Sequence, residues 1–373
     1  MFEHPLAGLA GGLIGFAGLD SAVIKALPLD QARQTLLGPG MSSLAIAVAL
    51  FGACVGSFLN VVAWRLPRQE SVVLPPSHCP HCGTRLAWFE NIPVLSWLVL
   101  RGHCRHCGAA ISRRYPAVEL LSAGLWVAVL LATPRLATPA SAGAAGLPGA
   151  LGLAGELGMP GVVELPGVAA LAGSSALAGA GLGLGSGPID WWLLAAGWLL
   201  VSLLLPMVLI DLDHLWLPEP LCRLGLLLGL AVTAISGYRL GAGGPLLLDH
   251  LIAAASGLLA MEGLSALAQR LMGKPALGLG DAKLTALLGA WLGLQALALA
   301  VFLAFLSGAL LGSLALLVGR LKRGQPFPFG PFLAAGGLAV WIGGASWWGQ
   351  LLGGVLGADV LGGGVLGGGV LGG

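Results

Sequence analysis

The sequence predicts an all-α integral membrane protein with about eight transmembrane helices and a cysteine-containing loop between the first two. Of the 373 residues, 57% are hydrophobic and only 9% are charged, and the mean hydropathy is +0.92. A water-facing surface of ordinary polarity cannot be built from this composition. Apolar stretches of about 20 residues, the length that crosses a bilayer, recur between short polar or proline-containing loops. The chain is therefore expected to fold within lipid.

Eight apolar stretches are predicted to span the membrane. They are residues 42–62, 116–133, 190–210, 219–237, 246–268, 279–293, 295–319 and 329–349. The loop between the first two contains seven arginines and two glutamates. Because Lys and Arg accumulate in loops that stay inside the cell, this loop is predicted to be cytoplasmic. Alternation along the chain then returns the basic residues of the 320–323 loop to the cytoplasm as well.

This topology divides the chain into five segments. Two of them carry the residues of chemical interest, and the Gly- and Ala-rich stretches offer little to pack. The N-terminus lacks the basic start of a secretory signal and is interpreted as an extension. The segments are an N-terminal extension (1–41), an N-terminal region (42–133) with a cysteine-containing loop (64–115), a low-complexity external loop (134–189), a membrane domain (190–350) and a Gly-rich tail (351–373).

Four cysteines form two C-x-x-C pairs within the first loop. Cys79 and Cys82 make one pair, and Cys104 and Cys107 make the other, with 21 residues between the pairs. Four thiolates at this spacing can hold a zinc ion tetrahedrally. The charge-based assignment of the loop to the reducing cytoplasm favours a metal over disulfides. The loop is therefore predicted to be a zinc-ribbon-like structure with a closed, structural metal site.

Two acidic clusters lie at the predicted cytoplasmic ends of spans. Asp211 and Asp213 end the third span, and Asp281, in a Gly-x-Gly-Asp sequence, opens the sixth. Acids at the membrane edge are costly and so are functional candidates. If the clusters meet, two neighbouring carboxyl groups would share a proton and provide a base and an acid for peptide hydrolysis. Asp281 could instead serve only as a helix cap.

Helix geometry does not decide which of Asp211 and Asp213 pairs with Asp281. Asp211 and Asp213 point about 200° apart on a continuous helix, so only one can face Asp281. The other polar groups in or beside spans are interpreted as interface or helix-packing groups; they are Glu119, Asp249, His250 and Glu262. Cys54 and Cys222 are interpreted as small apolar residues without a chemical role.

Several motifs in order resemble the type 4 prepilin peptidases, the Gly-x-Gly-Asp family of membrane aspartyl peptidases. The resemblance covers roughly residues 42–335. Its motifs are Gly56–Val62 ending in Arg65-Leu66-Pro67, Glu90-Asn91-Ile92-Pro93, Arg114-Tyr115-Pro116, the two acidic clusters, and Phe329-Gly330-Pro331-Phe332.

The resemblance implies an aspartic-type endopeptidase of the bacterial cytoplasmic (inner) membrane whose active site faces the cytoplasm. It implies that Asp211 and Asp281 are the catalytic pair, and that Lys283 belongs to the second motif. Family members cleave the leader of type 4 prepilins or type 2 secretion pseudopilins. Many then methylate the new N-terminus with S-adenosylmethionine, an activity that the resemblance places in the arginine-rich cysteine loop. The expected partners are pilin precursors and the lipid bilayer, and no nucleic acid.

Three other functions compete with this interpretation. A peptidase without methylation, as in the archaeal preflagellin relatives, is the nearest, although the cysteine loop resembles the bifunctional bacterial branch. A transporter or channel would carry its acids near the middle of the bilayer. A membrane scaffold that docks partners through the cysteine loop would leave the acids unexplained. The departures from the family pattern are Glu219, where Asp or Asn is common, the long loop at 134–189 and the tail.

Overall fold

The structure is a computed structural model that describes residues 41–133, 189–241, 243–273, 278–320, 327–344 and 348. The predicted N-terminal extension apart from Met41, almost all of the 134–189 loop and the whole tail lie outside these residues. The described residues form helices, turns and isolated β-bridges, with no β-strand among them. The all-α fold class is thus confirmed.

Nine α-helices lie within the described residues. They are α1 (Met41–Arg65), α2 (Leu95–Val99), α3 (Arg114–Ala132), α4 (Trp191–His214), α5 (Glu219–Arg239), α6 (Gly243–Met272), α7 (Leu279–Leu292), α8 (Leu294–Leu317) and α9 (Gly330–Gly343). The small helix α2 belongs to the cysteine loop, and the other eight coincide with the eight predicted spans.

Six of these helices, α1, α3, α4, α5, α6 and α8, are long and apolar enough to cross a membrane. Helices α7 and α9 have 14 residues each. At 1.5 Å per residue such a helix rises about 21 Å, less than the roughly 30 Å thickness of the hydrocarbon core. The prediction of a membrane bundle is confirmed, whereas the count of eight crossings stays a prediction.

Helix α7 forms the centre of the bundle. It packs against α5, α6, α8 and α9, and from Leu284 to Leu292 its side chains are buried. Close packing depends on small residues, as is usual between membrane helices. A Cβ on Gly289 would lie 2.6 Å from the backbone of Ala253 in α6, and one on Gly229 of α5 would lie 2.5 Å from the Trp291 ring. Asp281 is thus carried by the most enclosed helix.

The N-terminal pair of helices, α1 and α3, packs onto the rest through α4. The rings of Trp126 in α3 and Trp198 in α4 stack with centroids 4.6 Å apart. The Trp198 Nε1–H also donates to the Trp126 carbonyl at 3.0 Å. This contact fixes the helix that carries Asp211 against the region that carries the cysteine loop.

Candidate active site

Helix α4 ends directly after the first acidic cluster. Leu215, with a φ of 53°, follows the helix in the left-handed region, and its N–H donates to the Asp211 carbonyl at 2.9 Å. The chain then turns through Leu217 into Pro218, which precedes α5. The Asp211 side chain is buried, so it faces the interior of the bundle rather than solvent.

Asp211 contacts the start of the last helix. The Gly330 N–H, the first in α9, donates to Asp211 Oδ2 at 3.1 Å. The first amides of a helix have no partner within the helix and carry partial positive charge, so they favour a negative group. A Cβ on Gly330 would lie only 2.6 Å from the same oxygen. Glycine at this position therefore allows the amide to reach the carboxylate.

Asp281 lies in the first turn of α7 and is also buried. Its Oδ2 accepts the N–H of Gly278 at 3.2 Å, so the helix-cap role considered for this residue is present in the structure. Gly280 has a separate purpose, because a Cβ there would lie 3.0 Å from the Cβ of Leu217. The second glycine of the motif thus lets α7 approach the turn that follows Asp211.

Two acids that are 70 residues apart in sequence therefore meet at one end of the bundle. Gly280, next to Asp281, packs against Leu217 in the turn that follows Asp211, so both acids lie at the same end of the bundle. Buried carboxyl groups that are neighbours do not ionise together comfortably, so one can keep its proton while the other acts as a base. We call this end of the bundle, which contains Asp211 and Asp281, the acid end.

Asp213 forms a separate ion pair, with Arg114. The Arg114 Nη1–H donates to Asp213 Oδ1 at 2.6 Å, and its Nη2–H donates to the Leu209 carbonyl at 3.3 Å. Arg114 is the first residue of α3, so the ion pair joins the end of the cysteine loop to the end of α4. The geometry therefore favours Asp211 as the acid that faces Asp281.

Lys283, for which the sequence indicates no role, pairs with Glu219. Lys283 Nζ lies 3.1 Å from Glu219 Oε1, which is also 2.7 Å from Arg223 Nη2. Glu219 begins α5, directly after the turn that follows Asp211. The pair therefore connects the second turn of α7 to the first turn of α5 at the acid end.

The four predicted metal ligands come together in the first loop. The Sγ atoms of Cys79, Cys82, Cys104 and Cys107 all lie within 4.8 Å of one another. Both pairs have the same local structure: the amide of the glycine after each pair donates 2.9 Å to the carbonyl of the pair's first cysteine. Gly83 and Gly108 have φ of 66° and 70°, in the left-handed region that glycine adopts without the steric cost of a Cβ.

These dimensions fit a tetrahedral metal ion. Zn–S bonds of about 2.3 Å place two sulfurs about 3.8 Å apart, and Sγ of Cys79 and Cys107 are 3.9 Å apart. A hydrogen bond with the Thr84 hydroxyl lowers the pKa of the Cys82 thiol to about 6. Backbone hydrogen bonds from Cys107 and His106 lower the pKa of Cys104. Both shifts favour the thiolate, which is the form that binds a metal. At Cys107, a backbone hydrogen bond from Ala109 lowers the pKa, but burial and hydrogen bonds with the other three thiols outweigh it and raise the pKa to about 11.

Two buried charged residues tie this loop to the membrane helices. Arg65, at the end of α1, donates to the carbonyls of Ser71 and Pro75 at 2.9 and 2.7 Å. Glu119, in α3, accepts the N–H of Val94 at 2.7 Å. The sequence predicts an interface or helix-packing role for Glu119. In the structure its hydrogen bond with Val94 holds the loop against α3, just before α2 begins.

A second polar cluster lies at the opposite end of the bundle. Asp249 Oδ2 accepts the N–H of Leu294, the first residue of α8, at 3.2 Å. His250 is fully buried, and its Nδ1 lies 3.0 Å from the Ala290 carbonyl and 3.1 Å from the Thr233 hydroxyl. Both residues thus serve the turn between α7 and α8, in agreement with the helix-packing interpretation.

Two contacts at the acid end could not be assigned from sequence. Gly330 and Arg114 lie in motifs that carry the family resemblance, but their partners Asp211 and Asp213 are 119 and 99 residues away. The one available signal for Gly330 is its position before Pro331, a residue typical of the start of a helix.

Comparison with known proteins agrees with this organisation. Residues 50–133 match the bacterial peptidase A24 N-terminal domain, and residues 198–313 match the type IV leader peptidase family. The first match contains the cysteine loop, and the second contains both acids. No solved structure matches the chain.

Several relatives named prepilin leader peptidase/N-methyltransferase match over most of the chain. The protein of Aeromonas hydrophila is 36% identical over 328 residues, which are 81% of this chain and 90% of the relative. That of Pseudomonas aeruginosa is 33% identical over 333 residues, 82% and 90% of the two chains. That of Myxococcus xanthus is 37% identical over 285 residues, 75% of this chain and 66% of the relative. The chain therefore belongs to the type IV leader peptidase family.

Proposed function

We propose that this protein removes the leader peptide of type 4 prepilins or type 2 secretion pseudopilins, with Asp211 and Asp281 as the catalytic pair. The observation that carries the proposal is the meeting of these two buried carboxyl groups, each held by a backbone amide, at one end of the helix bundle. The family of the chain and the names of its relatives supply the substrate class.

The proposed mechanism assigns one role to each member of the pair. The ionised carboxylate takes a proton from a water molecule as that water attacks the scissile carbonyl carbon. The protonated carboxyl group donates a hydrogen bond to the carbonyl oxygen and then supplies a proton as the peptide bond breaks. Each carboxyl group accepts one helix-terminal amide, from Gly330 for Asp211 and from Gly278 for Asp281, so either acid can serve as the base while the other keeps the proton.

We further propose that Cys79, Cys82, Cys104 and Cys107 hold a structural zinc ion. Four thiolates complete its coordination and leave no open position for a substrate, so the ion stabilises the loop. The names of the relatives include an N-methyltransferase activity. From the family resemblance we propose that this protein methylates the new N-terminus with S-adenosylmethionine as donor. We assign no residue of this chain to that second activity.

The arginine-rich loop supports an inner-membrane topology in which the acid end faces the cytoplasm. The cysteine loop and the acid pair lie at the same end of their helices, because Arg114 at the start of α3 reaches Asp213 at the end of α4. A substrate whose leader stays in the cytoplasm would thus present its cleavage site to the pair.

The test is cleavage of a purified prepilin from the same genome by the full-length protein in detergent. We expect Asp211→Asn and Asp281→Asn each to lower the cleavage rate by roughly 10²-fold to 10⁴-fold. Asp249→Asn is the matched control, because Asp249 is also buried and also accepts a helix amide. Asp213→Asn should stay active. Retained cleavage by Asp281→Asn, with all variants equally folded by size-exclusion chromatography, would overturn the dyad.

Mass spectrometry of the cleaved pilin tests the second activity in the same samples. A methyl group on the new N-terminus supports a bifunctional enzyme. An unmodified N-terminus in the presence of S-adenosylmethionine contradicts the methylation proposal and leaves the peptidase proposal unaffected.

A further inference from the structure

The cysteine loop exposes an apolar surface although it is otherwise rich in charge. Trp88, Leu95, Leu98 and Val99 are 80%, 54%, 59% and 71% exposed. The last three lie in α2 at spacings of i, i+3 and i+4, which places them on one face of the helix. Trp88 lies in the short 3-10 helix Trp88–Asn91, which packs against α2. Large exposed apolar surfaces are uncommon on water-facing proteins and mark an interaction site. We call these four residues the apolar row.

The apolar row is held in a fixed orientation. Trp97, on the other side of α2, donates its Nε1–H to the Ile111 carbonyl at 3.1 Å. Its ring packs on Gly102, where a Cβ would lie 2.9 Å from the ring. Because Trp97 fastens α2 to the loop, Leu95, Leu98 and Val99 are directed outward and are not available to the loop's own core.

The attachment of α2 places the row close to the membrane. Glu119, which binds the Val94 amide, lies in α3 five residues after its first residue, Arg114. At 1.5 Å per residue this is about 8 Å along a helix that is long and apolar enough to cross a bilayer. The neighbouring Leu120 is 59% exposed on the same helix. The loop segment that carries the row is therefore attached within two helical turns of the start of a candidate membrane span.

The charges around the row are complementary to an anionic lipid surface. Exposed arginines flank it in sequence, at positions 85, 101, 105 and 113. Of the two acids in the loop, Glu90 is buried and accepts the Ala87 amide, whereas Glu70 is exposed but lies near the end of α1, 25 residues before α2. An apolar face bordered by arginines is typical of segments that lie in the headgroup region. Since the loop is tethered at both ends to membrane helices, lipid contact costs it little translational freedom.

We propose that the apolar row inserts into the bilayer surface among anionic phospholipids and fixes the metal-binding loop at headgroup level. The arginines bind the lipid phosphates, and the side chains of the row lie between the headgroups, in contact with the upper ends of the acyl chains. This inference does not depend on the catalytic pair, so a failure of the peptidase proposal would leave it intact.

The test uses the full-length protein in nanodiscs of phosphatidylcholine with or without phosphatidylglycerol, with bromine on the acyl chains as a quencher. The chain has 12 tryptophans, so the Trp88 signal is taken as the difference between wild type and Trp88→Phe. We expect bromine near the headgroup end to quench this signal more strongly than bromine near the chain end. Phosphatidylglycerol should increase the quenching, and added salt should reduce that increase.

A matched pair of variants tests the role of the row. Leu98→Ser should reduce the quenching of Trp88 to about half, because it removes one of the inserted side chains. Leu240→Ser changes an equally exposed leucine at the opposite end of the bundle, 62% exposed, and should leave the quenching unchanged.

Two outcomes would overturn the proposal. In the first, Trp88 is not quenched by any brominated lipid and stays accessible to acrylamide in water. In the second, Trp88 becomes shielded from acrylamide only when prepilin is added, which would show that the row binds the substrate rather than lipid.

Discussion

Asp211 and Asp249 lie at opposite ends of the helix bundle and have closely similar surroundings. Each is buried, and the Oδ2 of each accepts the first backbone amide of a following helix, α9 for Asp211 and α8 for Asp249. Each also lies against a glycine whose Cβ would come within 2.6 Å of that oxygen, Gly330 and Gly293. They differ in their neighbour: Asp211 has a second carboxyl group, Asp281, whereas Asp249 has His250.

Burial and an amide contact are common to both acids, so the feature that distinguishes Asp211 is its acidic neighbour. The turn between α7 and α8 lies about 10 Å inside the bundle, since Thr233 and His250 are six and seven residues from the ends of α5 and α6. Irregular backbone at that depth must find its hydrogen bonds within the protein. Asp249, Thr233 and the Nδ1 of His250 supply them, whereas the buried Nε2 of His250 has no hydrogen-bond partner among the described residues. Asp211 satisfies one amide and keeps an acidic neighbour.

The largest difference in cleavage rate between the two ends is expected when Gly330 and Gly293 are each replaced by alanine. Gly330→Ala should reduce prepilin cleavage by about 100-fold, because the new Cβ must displace the Asp211 carboxylate from the reacting geometry. Gly293→Ala, where φ is 77°, should lower thermal stability but leave the turnover of the folded fraction unchanged. Equal losses of turnover in both variants would contradict the comparison.

A smaller effect is expected when the metal is removed. Cys82→Ser should lower the zinc content from about one ion per chain to near zero, measured by inductively coupled plasma mass spectrometry. Cleavage should fall less than in the Asp211 and Asp281 variants, because Arg114, whose contacts with Asp213 and the Leu209 carbonyl join the end of the loop to the acid end, lies outside the cysteine cluster. Cys54→Ser, outside the cluster, is the control and should keep the ion. Unchanged zinc in Cys82→Ser would remove this residue from the ligand set.

At the opposite end, the expected effect is on stability alone. Asp249→Ala leaves the Leu294 amide without its acceptor and should lower the free energy of unfolding by about 1–3 kcal/mol. Asp249→Asn retains an acceptor oxygen and should cost less. Thermal unfolding in detergent measures the stability of both variants. A loss of turnover per folded molecule in either variant would show that this end of the bundle takes part in catalysis.

The smallest effect concerns the ion pair beside the acids. The side chains of Arg114 and Asp213 are 40% and 32% exposed, so their pairing is screened by solvent. Arg114→Gln should lower the cleavage rate at most about fivefold. Arg113→Gln, the adjacent arginine, should have no effect. Exchange of the two charges, with Arg114→Asp and Asp213→Arg together, should recover part of the loss; a further decline would show that the pair does not position α4.

The sequence predicts the parts of this protein that are encoded by short spacings. The C-x-x-C pairs, the Gly-x-Gly-Asp motif and six long apolar helices can be recognised locally, because each depends on residues within one turn or one span. The choice between Asp211 and Asp213 could not be made in that way. It rests on Arg114 and Gly330, which are brought to α4 only by the packing of α3 and α9.

The two 14-residue helices show a different limit. A hydropathy pattern reports that a segment avoids water, but it does not report whether lipid or protein surrounds it. Helix α7 was predicted as a span like the others, yet its buried side chains face other helices on all sides. Its length is set by the protein around it rather than by the thickness of the bilayer.

This enclosure of α7 has a consequence for biogenesis. A segment of 14 residues is too short to be held in a bilayer as an independent helix, which takes roughly 20. Helices that are stable in lipid insert first and associate afterwards. Helix α7 would then take its place only once α5, α6 and α8 surround it, and Asp281 would reach Asp211 at the last stage of assembly. A partly inserted chain would thus lack a complete acid pair, so that proteolytic competence would arise together with the finished fold.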